Sequence, residues 1–529
     1  MALPLAAAEV HVTNLADSGP GSLRDAIILA LPGDSIVFDV TGVITLTSGE
    51  LAIAKNLTIV GPGPSELTIN GNNASRVISI AASITANISG LTLQNSGIPG
   101  DGLGGGGARN YGTLLLSNCV ISGNSAHQGG GFANLGTATL SACSILSNSS
   151  GSIGVGGIYN SGTLTLSRCI VSGNTGFAGG GIGNAGTMTI TQSTISDNRT
   201  THSGGGFING GALTVEASTI SGNSASNTGG AFYNVGTGVL TLINSTLAGN
   251  RSGFGGGAIN NQGPGSAIAL INTTLSGNNG LFPGVILNAG TLVFKNSVVS
   301  SHSVGPNCAG YGFVSRGHNV SNDGSCATFL NQTGDMNSTD PLLAAGLEDN
   351  GGPTQTIALL TGSPAVNAIL VADCTDIDGN PVSTDQRGIT RPQGSACDIG
   401  AYETVPPGLS VPIDIKPGDA KNTINLKSNG TVLVAILSSG ASASSTPFDA
   451  TTVDPASVTL AGAHVATQGK AATPLTNIQD VNRDGRVDLV LHFKTQDLQL
   501  SPDDTEAVLL GETFSGQSIR GVDSIRLVP

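Results

Sequence analysis

The chain has 529 residues with a formal net charge of −14; 10% of them are charged and 3% aromatic, and it contains 79 glycines but no tryptophan. This length indicates two or three domains, and the apolar and β-branched content is too high for a disordered chain. The acidic balance argues against a nucleic-acid partner, because phosphates would be repelled. The sequence contains no run of about 18 apolar residues, so it predicts no membrane-spanning helix. We expect a monomer whose acidic surface is compatible with calcium.

Residues 1–34 are predicted to form an N-terminal segment with a capping helix. Ala6–Ala8 read either as the end of a removed export signal or as an ordinary chain terminus. Ser22 and Asp25 form an approximate capping box at the start of a short amphipathic helix. Its apolar face is predicted to seal the first turn of the repeat domain; this face comprises Leu23, Ala26, Ile27 and Ala30.

Residues 35–300 repeat themselves, with regular copies about 24 to 28 residues apart. One copy is GGGIGNAGTMTITQSTISDN (Gly179–Asn198), in which short alternating segments lie between glycines and asparagines. A period of this size is typical of stacked architectures, and period-2 alternation indicates strands with one buried face. The pattern predicts an all-β, right-handed parallel β-helix with three short strands per turn and about ten or eleven turns.

Three positions of the repeat are predicted to stack in files along the helix. In-register stacking lets asparagine side chains form hydrogen-bonded ladders, and asparagine also tolerates the left-handed backbone of a sharp corner. One file closes each copy: Asn124, Asn148, Asn174, Asn198, Asn223, Asn250 and Asn278. A second follows the glycines: Asn110, Asn134, Asn160, Asn184, Asn209, Asn234, Asn260 and Asn288. A third contains small inward side chains: Cys119, Cys143, Cys169, Ser193, Ser218, Ser245, Thr273 and Ser297. Since serine and threonine replace the cysteines elsewhere, we expect buried free thiols instead of a metal site.

Two parts of the sequence resemble known bacterial exported proteins. The segment DSGPGSLRDA (Asp17–Ala26) resembles the entry segment of exported β-helix proteins, and the GG-[IF]-x-N…ISGN repeats are similar to those of polymorphic outer-membrane proteins. The blocks NCAGYG…GHNVSNDGSCA, DPLLAAGLEDNGGPTQTIALLTGSPAVNA and STDQRGITRPQGSACDIGAYE resemble the "choice-of-anchor Q" domain. The resemblance implies a secreted or cell-surface bacterial protein and no settled activity.

Residues 301–404 are predicted to cap the lower end of the β-helix. Cys308–Cys326 and Cys374–Cys397 are the expected disulfides, each closing a short loop, and they imply an oxidising location. Asp385, Arg387, Arg391 and Asp398 are expected to form an ion-pair network that locks this cap, with a catalytic role as the alternative.

Residues 405–412 are a proline-rich linker, after which the glycine repeats stop. The strand-like segments Val432–Leu437, Ala456–Gly462 and Val487–Phe493 predict a β-sandwich over residues 413–529. This part resembles a module found at the C-termini of many exported bacterial proteins.

The sandwich contains a candidate calcium loop in the sequence DVNRDGRVD. Oxygen atoms at alternate positions suit a hard cation, and a glycine permits the sharp turn. The predicted ligands are the side chains of Asp480, Asn482, Asp484 and Asp488 with the backbone carbonyl of Arg486, and the predicted cofactor is structural calcium. A solvated acidic turn is the alternative, and Asp376–Asn380 forms a weaker second cluster.

The repeats carry little charge with which to catalyse a reaction. A glycosidase needs two carboxylates close together, but Asp101, Asp197 and Glu216 occupy different parts of the repeat. Arg199 with His202 is the nearest approach to a cationic cluster. We therefore expect a structural or adhesive surface protein, with an extracellular polysaccharide or a cell surface as partner, and favour this over enzymatic activity. The alternative is a polysaccharide lyase or glycoside hydrolase acting along one face of the β-helix.

Overall fold

The computed structural model describes residues 8–98, 100, 102, 104–151, 153–281, 284–301, 305–405, 408–419, 421–440, 447–469, 472–501 and 504–528. The chain divides into two compact units, residues 1–404 and 405–529. In the described residues the only α-helix is Leu23–Leu29, with 3₁₀ helices at Val371–Asp373, Ala450–Thr452 and Thr495–Asp497. The predicted all-β class is confirmed, and none of the helices described is long and apolar enough to cross a membrane.

The first unit is a parallel β-helix of about twelve turns, slightly more than the ten or eleven predicted. Its strands stack in four sheets, each parallel and in register. Sheet A contains Glu9–Val12, Ser35–Phe38, Leu57–Val60, Thr85–Ser89, Thr113–Ser117, Thr137–Ser141, Thr163–Ser167, Thr187–Thr191, Ala212–Glu216, Val239–Ile243, Ala267–Ile271, Thr291–Lys295 and Phe313–Ser315. Sheet B contains Gly42–Thr45, Leu67–Asn70, Thr92–Gln94, Val120–Ser122, Ser144–Leu146, Ile170–Ser172, Thr194–Ser196, Thr219–Ser221, Thr246–Ala248, Thr274–Ser276, Val298–Ser300 and Val320–Ser321.

The other two sheets complete each turn. Sheet C contains Leu51–Ile53, Ile78–Ile80, Ala108–Asn110, Phe132–Asn134, Ile158–Asn160, Ile182–Asn184, Phe207–Asn209, Phe232–Val235, Ile259–Gln262, Ile286–Asn288 and Cys308–Gly310. Sheet D contains the two-residue strands Gly97–Ile98, Ser125–Ala126, Ser149–Ser150, Thr175–Gly176, Arg199–Thr200, Ser224–Ala225, Arg251–Ser252 and Asn279–Gly280. A regular turn therefore has four strands, in the order A, B, D, C, and not the predicted three.

The files of asparagines lie inside the β-helix as predicted. Asn174 is fully buried, and its Nδ2 donates to the Oδ1 of Asn198, 2.9 Å away, in the next turn. The same bond joins Asn124 to Asn148 and continues along the file. In the second file Asn234 donates to Asn261, so the ladder contains Asn261 and the prediction of Asn260 at this position is wrong. A one-residue difference moves a side chain to the other face of a strand, and Asn260 lies in the outward row of sheet C.

At the first asparagine file, the sharp corner is formed by the residue just before each asparagine. Asp197 has φ +56° and Gly173 has φ +66°, whereas none of the predicted ladder asparagines has a positive φ. The prediction of a left-handed backbone at the ladder asparagines is therefore wrong: these residues contribute buried amides, and at the first file the preceding residue makes the turn.

The two ends of the first unit are covered. Ser22 accepts a hydrogen bond from the Asp25 backbone N–H at the start of the helix, whose Leu23 and Ile27 are buried in the core. At the other end the Cys308–Cys326 disulfide packs against the last turn.

The Cys374–Cys397 disulfide is also present, while Cys119, Cys143 and Cys169 are buried free thiols. A hydrogen bond with the Cys143 thiol and burial both raise the pKa of Cys169, which keeps the thiol protonated.

The later part of the predicted cap runs back along the side of the β-helix. We call residues 341–404 the strap. Its Gln386 side chain is buried against sheet B, where Nε2 donates to Thr219 Oγ1 at 2.9 Å and Oε1 accepts from Thr246 Oγ1 at 2.6 Å. The strap therefore covers part of a long face instead of only the lower end.

The second unit contains two mixed or antiparallel sheets around one core. One contains Leu409–Ser410, Ser518–Ser524, Glu506–Thr513, Val453–Leu460 and Ala463–His464; the other contains Ile413–Ile415, Thr431–Ile436, Asp488–Lys494 and Thr476–Gln479. Two short pairs complete it, Thr423–Asn425 with Arg526–Val528 and Thr467–Gln468 with Thr473–Pro474.

Candidate functional site

A groove of about 390 Å³ opens on the outer face of sheet C. Its floor is Gly183, which stands in register between Tyr159 and Ile208 on the neighbouring strands. Because glycine has no side chain, the Val155 side chain packs over this position, with its Cγ2 2.4 Å from where a Cβ would lie. Phe177 and Val155 form the wall on the side of sheet D.

Aromatic side chains form a ridge at the corner between sheets D and C. The rings of Phe177 and His202 stack with centroids 5.5 Å apart. Phe254 lies at the same corner, two turns of the β-helix after His202, and its side chain is 62% exposed. Backbone hydrogen bonds from Asn227 to His202 and from Phe254 to Asn227 hold these loops in register. The predicted residue His202 therefore lies beside the wall of the groove.

Sheet D places two arginines next to this ridge. Arg199 and Arg251 occupy one outward row, separated by Ser224, so the two strands are about 10 Å apart. Both side chains are exposed, and neither forms an ion pair with any residue that the structure describes. The corner thus combines unpaired cations, an imidazole and an apolar groove, which is a suitable surface for an anionic, ring-containing polymer.

The predicted acids do not join this corner. Asp197 makes the turn before Arg199, and Glu216 ends a strand of sheet A on a different face. Asp101 lies outside the described residues. Lys295 donates to Thr375 Oγ1 and to the Asp376 carbonyl, at 2.6 and 2.9 Å, so the strap engages it.

The charges predicted to lock the cap are buried in the strap. Arg391 pairs with Glu403 at 2.9 Å, with side chains 0% and 1% exposed, and Arg387 pairs with Asp385 at 2.7 Å. Burial raises the pKa of Glu403, and the Arg391 charge opposes that rise. Glu403 is a member of this network that the sequence prediction missed, and Asp398 takes part through its backbone carbonyl, which accepts a hydrogen bond from Arg391. This network is enclosed, which fits a structural role.

The candidate calcium loop has a compact backbone. Asp480 accepts hydrogen bonds from the backbone N–H groups of Asp484 and Gly485, and Gly485 has φ +85°. Asp488 is fully buried, with its two oxygens accepting from the Ser438 and Val481 N–H groups at 2.9 and 2.8 Å. Among the described residues no three His, Cys, Asp or Glu side chains converge on a metal position. The other two predicted ligands are the Asn482 side-chain oxygen and the Arg486 carbonyl, and calcium stays a prediction.

The weaker cluster at Asp376 is a closed turn. Its carboxylate accepts from the Asp378 and Asn380 backbone N–H groups and from the Asn380 side chain, each at 2.9 Å. Burial raises the pKa of Asp376, but these hydrogen bonds outweigh it and hold the pKa below its usual range. The cluster is explained by its own backbone.

Sheet A presents a contrasting outer face. Hydroxyl groups stack there in three in-register rows. The rows are Thr85, Thr113, Thr137, Thr163 and Thr187; Thr139, Thr165, Thr189, Thr214 and Thr241; and Ser89, Ser117, Ser141, Ser167 and Thr191. This repeating polar face is what a structural or adhesive rod is expected to show.

Sequence reasoning missed the groove, because the residues that line it lie in different repeats. Tyr159 and Tyr233 share the outward row of sheet C, which Arg109 also joins. Aligning the repeats on the second asparagine file would have shown that these residues and Gly183 fill one position.

Comparison with known proteins gives partial matches. No family model matches the chain. Proteins described as probable pectate lyase C from Aspergillus flavus and Aspergillus oryzae are 47% identical over 68 and 64 residues, which is 12% of this chain and 15% and 14% of theirs. The chain thus spans about one seventh of these relatives. A solved structure, the PL6 family alginate lyase AlyGC, aligns over 79% of this chain and 64% of its own, with a TM-score of 0.35 and 12% identity.

Proposed function

We propose that this protein acts outside the cell on an acidic polysaccharide, as a polysaccharide lyase whose site lies at the corner between sheets D and C. The observation that carries the proposal is the pair of unpaired arginines beside His202 and the groove. The short match to probable pectate lyase C supports the same class. The two disulfides are consistent with an extracellular location. From the sequence resemblance we also propose that this is a secreted or cell-surface protein of a bacterium.

The chemistry of a lyase requires a cation and a base at this corner. Arg199 would pair with the carboxylate of a uronate unit, which stabilises the negative charge that develops when the neighbouring C5 proton leaves. His202 would take that proton, since imidazole is the side chain most often used as a base near neutral pH. The C4–O bond then breaks and a C4–C5 double bond forms, while the leaving oxygen takes up a proton from water and the protonated His202 later returns its proton to solvent.

The first prediction concerns this activity. We expect turnover of polygalacturonate or alginate, measured by the ultraviolet absorbance of the unsaturated product. Arg199→Ala is expected to lower the rate by about 10²-fold or more, because one charge-stabilising group is lost. His202→Ala is expected to have a similar effect.

Arg168→Ala is the matched control for Arg199→Ala. Arg168 is also exposed on the β-helix, but at the turn between sheets A and B, where its Nε donates to Gln192. Its loss is expected to leave turnover unchanged. Absence of turnover on a broad panel of uronate polymers, or equal effects of both arginine variants, would contradict the proposal.

The hydroxyl rows of sheet A favour an adhesive role as the second candidate. Such a role predicts polysaccharide or cell-surface binding that survives Arg199→Ala and is reduced by substitutions in these rows. Binding without turnover would favour this candidate over the lyase.

The second prediction concerns calcium, which we propose as a structural ion of the loop at 480–488. At 100 times its dissociation constant, an ion bound only to the folded state stabilises that state by about 2.7 kcal/mol. We expect EDTA to lower the melting temperature of the second unit, and Asp484→Ala to remove this response. Asp497→Ala, at an exposed position outside the loop, should keep it. A melting transition insensitive to EDTA would identify the loop as a solvated turn.

A further inference from the structure

We propose that the groove over Gly183 is a subsite for ester-substituted sugar units, with methyl ester or O-acetyl groups as the recognised chemistry. The inference rests on the proposed function, since it names the form of polysaccharide that the site prefers. The juxtaposition that carries it is an uncharged, apolar groove next to the row of arginines on sheet D.

The lining of the groove decides the chemistry of its occupant. Among the described residues that line it none is charged, and its walls are formed mainly by Val155, Tyr159, Phe177 and Ile208. A free uronate would lose hydration there without gaining a cation, which is unfavourable. A methyl ester removes the charge of the uronate carboxylate, and an O-acetyl group masks a sugar hydroxyl. In both cases the added group gains contact with the apolar side chains of the groove.

The groove is also continuous with the proposed lyase corner. Phe177 forms its wall and stacks on His202, three residues after Arg199. A polymer chain with a free uronate at Arg199 would thus place another unit against the groove. A partially esterified polymer supplies both kinds of unit, whereas a fully saponified one supplies only the first.

The third prediction tests this preference by binding, independently of turnover. Dissociation constants are measured for a partly methyl-esterified pectin, an acetylated pectin and the same polymers after saponification. Each buried methyl group is worth about a fourfold gain in affinity, so we expect at least one esterified polymer to bind about fourfold or more tightly than its saponified form. The methyl and acetyl arms identify which ester is recognised.

Ile208→Arg puts a charge into the groove and is expected to abolish or reverse the preference. Leu115→Arg is the matched control, since Leu115 is 47% exposed on sheet A, and it should keep the preference. Phe177→Ala is a second groove variant in case the first one folds poorly. Equal affinity for esterified and saponified polymers, or no binding of either, would overturn the subsite. Preference for the esterified polymer without turnover would support the subsite and contradict the lyase activity. Turnover without such a preference would support the lyase activity and contradict the subsite.

Discussion

Replacing Arg391 with methionine is expected to release the strap from the β-helix. In the native structure the guanidinium contacts Glu403 and donates to the carbonyls of Asp398 and Gly400, at 2.8 and 2.6 Å. Its removal leaves the Glu403 carboxylate buried beside an apolar side chain. Breaking a buried pair in this way costs about 3–5 kcal/mol.

The measurement is hydrogen exchange in the strap, read against the turns of the β-helix. Arg391→Met should accelerate exchange in the strap while leaving turns remote from it protected. The double variant Arg391→Met/Glu403→Gln should recover part of the protection, because no uncompensated charge remains. Arg168→Met, at an exposed arginine, serves as the control and should change little. Unchanged exchange in Arg391→Met would show that the pair does not hold the strap.

The periodic features of the fold could be predicted from the sequence because they depend on neighbouring turns. Asn148 and Asn174 stand 26 residues apart and bond to each other, so the repeat length itself indicates the contact. Cys308 and Cys326 are also close in sequence, and the structure confirms their disulfide.

The position of the strap could not be predicted in this way. Gln386 reaches Thr219, 167 residues earlier, and Thr246, 140 residues earlier. Each partner has an ordinary polar sequence context, and nothing local indicates that a later segment will cover it. Glu403 was missed for a different reason: it lies only 12 residues after Arg391, but nothing in the sequence marks it, in preference to Asp398, as the buried carboxylate partner.

The groove was hidden by the abundance of glycine. Most repeat glycines are required by close backbone contacts: a Cβ on Gly180 would lie 2.4 Å from the Gly205 carbonyl oxygen. At Gly183 the nearest atoms are instead the side chains of Val155 and Ile208, at 2.4 and 3.5 Å. The sequence alone does not distinguish a glycine that permits close backbone stacking from one that accommodates a neighbouring side chain, so the candidate site could be found only from the structure.

Substitution of a single ladder asparagine tests the claim that these files hold the turns together. Asn174 is fully buried, and its Oδ1 accepts from both the backbone N–H and the side chain of Asn148, at 2.9 and 3.0 Å. Its Nδ2 also donates to the Ile145 carbonyl at 2.9 Å. Asn174→Leu keeps the approximate size but leaves a donor and an acceptor unpaired in the core. Since each such group costs about 1–3 kcal/mol, we expect unfolding to become easier by about 3–5 kcal/mol.

The loss should spread to neighbouring turns, because each turn of a stacked structure is stabilised mainly by its neighbours. Denaturant unfolding measures the total, and hydrogen exchange shows which turns open first. Asn279→Leu is the matched control, since Asn279 is an exposed asparagine on sheet D and should cost less than about 0.5 kcal/mol. If the two variants were equally stable, the ladders would be a by-product of the repeat, and apolar packing alone would hold the turns in register.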